Sequence, residues 1–135
     1  MIHNIRQVIN SDKKFRKILH ELNHKFYHAT VTGSEVEALI SKKSGIDFST
    51  VFEQYLRTTK IPELEYKIEN NEILYRWQNT VPSFKMPLKI SFGEGSKEKW
   101  INPTEAWQRL KPGKYRNASE IKVDPNFYIK VKMIP

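Results

Sequence analysis

The stretch Ser44 to Tyr66, SGIDFSTVFEQYLRTTKIPELEY, changes its hydrophobic period part-way along. Gly45 suits the left-handed stop of a preceding helix, and Asp47 can cap the start of the next. Phe48, Val51, Phe52, Tyr55 and Leu56 then recur at the three-four spacing of one helical face, predicting a helix that ends near Arg57 to Lys60, ahead of Pro62. From Ile61 the period becomes two: Leu64, Tyr66 and Ile68 alternate with Glu65, Lys67 and Glu69. A helical part therefore meets a β part at about residues 57 to 62.

Working upstream, Ile2, Ile5 and Ile9 predict a short opening helix closing near Asn10 and Ser11. With Asp12 as N-cap, Phe15, Ile18, Leu19, Leu22 and Phe26 mark a second helix that stops around Tyr27 to Thr30. Thr32-Gly33-Ser34-Glu35 fits a capping box, with Val36, Leu39 and Ile40 as the stripe of a third. Downstream, Asn70-Asn71 separates the first β run from Ile73, Tyr75 and Trp77, which predicts a hairpin. Further strand-like runs cover 86–92, 97–101, 105–110, 121–124 and 127–133, with turn signals at Gly93-Glu94-Gly95, Asn102-Pro103 and Pro112-Gly113. The fold class is α+β: a helical segment of three to four helices over residues 1–60, then an all-β, immunoglobulin-like sandwich of about seven strands over 61–135.

At 135 residues the chain suits one ordinary domain, and is short for a zinc peptidase with its lids and accessory domains. Seven Phe, six Tyr and three Trp supply enough apolar surface for a core. The net charge of +8 raises nucleic acid as a partner, but the two halves carry ten Lys/Arg against six Asp/Glu and thirteen against nine, with no concentrated block. Basic residues such as Lys130 and Lys132 sit singly between apolar ones, as on the solvated face of a strand, so nucleic-acid binding is not expected. With no cysteine, disulfides and thiolate metal sites are excluded. No apolar run approaches a membrane span.

One motif invites an enzymatic reading. In His20-Glu21-Leu22-Asn23-His24, two His at i and i+4 can grip one zinc ion while the Glu acts as general base on a metal-bound water. Three observations oppose it. On a wheel centred on Leu22, His20 and His24 fall opposite the apolar stripe. Lys25 puts a positive charge beside the site. The aminopeptidase spacing places the third ligand at position 43, which is Lys43, and the longer histidine form needs Gly at 27 and His at 30, where the chain has Tyr27 and Thr30. His28 extends the His20–His24 row, so adventitious metal binding by the three stays open. We expect no catalytic and no metal-ligating residue in the chain, and no cofactor; the sequence identifies no binding residue. Trp77, Trp100 and Trp107 suggest sugar or peptide stacking, but each lies in an alternating segment where core or sheet face is expected. Lys97-Glu98-Lys99-Trp100 reads as an edge or loop of mixed charge.

Residues 44–66 resemble the stretch that closes the catalytic region of aminopeptidase-N-type (gluzincin) zinc metallopeptidases of bacterial type. There a small-Gly-x-Asp-Leu/Phe turn opens a helix of Phe-Phe-x-Gln-Tyr/Trp-Leu type, matched here by Ser44, Gly45, Asp47, Val51, Phe52, Gln54, Tyr55 and Leu56, before Ile61-Pro62 and Leu64-Glu65-Tyr66. MIHNIRQVI resembles the helix following the family's catalytic tyrosine, Tyr75-Arg76-Trp77-Gln78-Asn79 its next strand, and Val123-Asp124-Pro125-Asn126-Phe127-Tyr128 its closing strands. The resemblance implies a fragment: the zinc motif, its distal Glu and the tyrosine would all precede Met1, and residues 20–24 would lie where relatives have an ordinary helix. The expected function is that of a non-catalytic C-terminal part supporting the missing catalytic domain, with zinc in the parent and a periplasmic or secreted parent compartment. Expressed alone, such a part should self-associate through exposed apolar surface. Two alternatives stand beside it: an autonomous small zinc hydrolase using His20, Glu21 and His24, and a basic β-sandwich binding module.

Overall fold

A computed structural model describes residues 1–93, 95–111 and 120–135; the Pro112-Gly113 turn signal and Glu94 lie outside the described residues. Four helices come first: α1 (Ile2–Ile9), α2 (Asp12–Lys25), α3 (Gly33–Ser44) and α4 (Ser49–Arg57). Seven strands follow: β1 (Glu63–Glu69), β2 (Glu72–Gln78), β3 (Leu88–Ser91), β4 (Lys99–Ile101), β5 (Gln108–Leu110), β6 (Lys122–Val123) and β7 (Lys130–Met133).

Local chemistry accounts for the helix ends, with two adjustments to the sequence reading. The cap of α2 is Ser11, whose side chain accepts from the Lys14 N–H, while Asp12 is the first helical residue and pairs with Arg6 at 2.8 Å. Asp47 accepts from the Ser49 N–H at 2.9 Å but sits one position before the α4 N-cap, Phe48. The capping box of α3 forms with both of its bonds, and α3 ends on Gly45 at φ 74°, a left-handed conformation that a side chain would strain. The buried arc of α1 runs through Met1, Asn4, Ile5, Val8 and Ile9, which leaves Ile2 just outside it and 52% exposed. Leu19 and Leu56 are likewise displaced from their stripes and exposed.

The β1–β2 hairpin turns through Asn70 and Asn71, both at positive φ, as a two-residue turn between twisted strands requires. β2 continues the antiparallel pairing to β5, and β7 lies parallel to β1 on the other side, giving a sheet of order β5-β2-β1-β7. A second, antiparallel sheet has order β4-β3-β6. The inward residues Leu64, Tyr66, Ile73, Tyr75 and Trp77 of the first sheet join Leu88, Ile90 and Ile101 of the second in one buried cluster. That cluster also contains Ile5, Ile18, Ile40, Phe48, Val51 and Phe52 from the helices. The architecture is thus the α+β arrangement of helices followed by a sandwich of two sheets.

Strand β7 departs from the expected pattern. Lys130 and Lys132 are exposed, but so are Val131 (44%) and Met133 (54%), although they stand in register with the buried Leu64 and Tyr66. They extend the inner face of the sheet beyond the part covered by the helices and the second sheet. No helix is long and apolar enough to cross a membrane, among the described residues.

Candidate functional site

Helix α2 carries the His20–His24 motif on its outward side. Ile18 is buried at 2%, Phe15 and Leu22 pack partly against the core and Phe26 is half-buried, while His20 and His24 are exposed, as the wheel geometry requires. With Asn23 and Tyr27 they line an open hollow. Lys13, Arg16 and Lys17 occupy the same side one and two turns earlier, so any dication held by the two imidazoles would sit in a field of like charge. His28 does not extend the row: α2 ends at Lys25, and His28 lies beyond it at φ 51° with its ring edge-on to Tyr27 at 4.1 Å. The continuous helix assumed for a three-His row is absent there, so the row stops at His24.

Glu21, the would-be general base, points toward α3. Its carboxylate is 2.7 Å from the ammonium of Lys43, and that hydrogen bond holds its pKa below the usual carboxylate range. The fold does bring position 43 to the motif helix, and what it brings is a cation paired with Glu21. Among the described residues, no three His, Asp or Glu side chains converge in a way that could hold a metal ion.

The buried polar chemistry lies elsewhere, at two amides. Asn4, fully buried, donates from Nδ2 to the Tyr55 hydroxyl at 2.8 Å and to Met86 Sδ at 3.5 Å, and accepts at Oδ1 from the Tyr128 N–H at 2.9 Å. Tyr55 in turn donates to the Tyr128 carbonyl at 2.6 Å, and burial pushes its pKa up. Gln54, also fully buried, donates to the carbonyls of Lys60 (2.7 Å) and Asn79 (3.3 Å) and accepts from the Val81 N–H (2.7 Å). These side chains hold α1 and α4 to the connections that precede β1, β3 and β7. Neither role was read from the sequence; Asn4, with Met1 three positions before it and Val8 four after, carries a legible signal, whereas Gln54 has Val51 on one side and Arg57 and Thr58 on the other.

The three tryptophans take structural positions. Trp77 is buried at 1%, edge-on to Phe84 at 5.3 Å, with no hydrogen-bond partner for its Nε1 among the described residues. Trp107 has the Arg76 guanidinium over its ring at 4.4 Å, and Trp100 has Lys89 Nζ at 5.3 Å and Phe127 edge-on at 6.2 Å. Arg76 also pairs with Glu65 at 2.6 Å, so the ring face of Trp107 that it covers is tied into an ion pair. Lys99-Trp100 lies on β4, at one edge of the second sheet.

No protein-family model and no curated protein sequence matches the chain. Among solved structures, it is similar to the aminopeptidase A of Legionella pneumophila, solved in complex with aspartic acid, at 13% identity and a TM-score of 0.67. The match covers 99% of this chain and 17% of that one, so this chain spans about a sixth of the length of the aminopeptidase. At this identity the likeness is one of fold.

Proposed function

We propose that the chain is a non-catalytic C-terminal part of an aminopeptidase-N-type zinc metallopeptidase, whose work is to support and orient the catalytic domain. The observation that carries the reading is the fold likeness of nearly the whole chain to one section of an aminopeptidase. The sequence resemblance over residues 44–66 points the same way. In this reading zinc, its ligands and the catalytic tyrosine belong to the catalytic domain, which is the partner of this chain. The outward placement of His20 and His24, and the engagement of Glu21 by Lys43, support assigning no catalytic role to the motif.

The buried amides Asn4 and Gln54 suit such a role, because they make the helices and the sandwich one rigid support. Exposed Ile2, Leu19 and Leu56 offer apolar surface on the helical side for the catalytic domain to cover.

The test has two parts. Purified chain with added zinc should show no hydrolysis of aminoacyl anilides above buffer; zinc-dependent hydrolysis abolished by Glu21→Gln would establish the miniature hydrolase instead. The reading frame upstream of Met1 should encode a zinc motif with a distal Glu. A frame there encoding an unrelated protein would overturn the proposed parentage.

A further inference from the structure

Strand β7 ends the four-stranded sheet with one side paired and the other open among the described residues. On the paired side, the Lys130 N–H donates to the Pro62 carbonyl at 2.8 Å and the Ile134 N–H to the Tyr66 carbonyl at 2.9 Å. Backbone groups alternate in direction along a strand, so those of the even-numbered residues face β1 and those of Val131 and Met133 face outward. The side chains alternate as well, with Val131 and Met133 on the inner face of the sheet and Lys130 and Lys132 on the other. All four are exposed, and neither lysine has an ion pair among the described residues.

The strand already in place beside β7 shows what it accepts. In parallel register, Glu63 stands opposite Lys130, Leu64 opposite Val131, Glu65 opposite Lys132 and Tyr66 opposite Met133. By register, acid stands opposite lysine on one face and apolar opposite apolar on the other, with the Glu65 carboxylate itself held by Arg76. We propose that the open edge of β7 takes a second strand of the same kind: an extended segment of a partner polypeptide in which acidic residues alternate with apolar ones. The outward N–H and C=O groups of Val131 and Met133 supply main-chain hydrogen bonds. Val131 and Met133 supply apolar contact, and the two lysines select acidic side chains.

A second copy of the chain fits poorly. Antiparallel pairing of two β7 strands about a two-fold axis joins odd residues to odd and even to even, which sets lysine against lysine or lysine against Ile134. The lysines thus disfavour self-pairing while admitting an acidic strand. This inference does not depend on the aminopeptidase reading, since it rests on the register and exposure of β7.

Binding of a fluorescent peptide that repeats the β1 pattern, Glu-Leu-Glu-Tyr, is measured by anisotropy at concentrations where sedimentation finds the chain monomeric. A control peptide carries Lys in place of each Glu. The acidic peptide should bind saturably and more weakly as salt rises, and the lysine peptide should bind at least ~10-fold more weakly. Val131→Pro removes an outward N–H without touching the pairing to β1, and should weaken acidic-peptide binding by about 10-fold or more. The double variant Lys130→Glu, Lys132→Glu should reverse the peptide preference, and it decides the matter if the proline variant fails to fold. Equal binding of both peptides, no saturable binding, an unreversed preference, or an edge found occupied by a second copy in a concentration-dependent dimer would each overturn the proposal.

Discussion

Asn4 and Tyr55 share a hydrogen bond of 2.8 Å across 51 positions of sequence, and both are bonded to the main chain of Tyr128. The three residues close a ring that joins α1, α4 and the segment leading into β7. Asn4→Ala strands the Tyr128 N–H and removes a donor from Tyr55 inside the protein. It should cost about 2–3 kcal/mol, within the range for leaving buried groups unpaired. Tyr55→Phe removes the bond to the Tyr128 carbonyl and should cost about 1–2 kcal/mol. Urea unfolding of the two single variants and the double variant should give a total well below the sum of the two, because the losses share partners.

Gln54 offers a sharper test, because its amide NH2 faces two carbonyls and its oxygen faces an N–H. Gln54→Glu keeps the size and the acceptor but sets a carboxyl against the carbonyls of Lys60 and Asn79. Burial and those carbonyls should raise the folded-state pKa of the new group above its unfolded value. The proton is then held more tightly when folded, so the variant should approach wild-type stability in acid and lose stability as the pH rises through the folded pKa. Thermal melts across pH 4 to 8, with wild type as reference, check the sign of the slope.

The carboxylate of Glu35 accepts from the Thr32 N–H at 2.7 Å, and this bond, with a further one from the Thr32 hydroxyl, lowers its pKa from the ordinary 4.5. A depressed folded-state pKa contributes stability above the unfolded value and loses it as the pH falls through the folded one. Glu35→Gln can keep a capping-box bond without a titrating group. It should therefore leave neutral-pH stability nearly unchanged and flatten the acid side of the stability profile below about pH 4.5. A profile as steep as that of the wild type would show that other carboxylates set the acid limb.

The Glu21–Lys43 pair is partly exposed on both sides, so its contribution to stability should be small. Lys43→Glu places the acid that a zinc peptidase would use at this position, yet also sets it against Glu21. Isothermal titration with zinc should show no stoichiometric site in this variant. Tight, one-to-one binding would mean that the His20–His24 geometry was poised for metal after all.

If the apolar residues on the helices serve a docking role, the isolated chain should associate. Size-exclusion chromatography at rising concentration should show a growing apparent mass, and Ile2→Lys with Leu56→Lys should move it toward the monomer. A clean monomer at every concentration would count against the docking role.

Much of this fold was legible in the sequence. The helix-to-strand change falls between Arg57 and Glu63, the Asn70-Asn71 turn forms the hairpin, and each strand-like run of residues 61–135 contains a strand. These features are set by local period and turn chemistry, which a single sequence displays. Strand order was not legible, because the parallel placement of β7 beside β1 depends on contacts between distant segments. The exposure of Leu56 and Val131 was missed for a related reason. Periodicity says which residues share a face, and only the tertiary arrangement says how far that face is covered. On α2, the wheel placed His20 and His24 outward, while the off-helix geometry of His28 depended on where the helix frays, a detail the pattern does not encode.

The adjacency of β1 and β7 also sets an order of events. The β1–β2 hairpin joins neighbours in sequence and should form within microseconds, whereas the β1–β7 pairing closes a far longer loop and is expected to form later. The last strand to arrive, held on one side only, is also the first expected to leave. In a hydrogen-exchange experiment, the amides of Lys130 and Lys132 should exchange through a local opening while Tyr75 and Trp77 wait for global unfolding. The chain would then pass through a brief state with its core intact and the side of β1 bare.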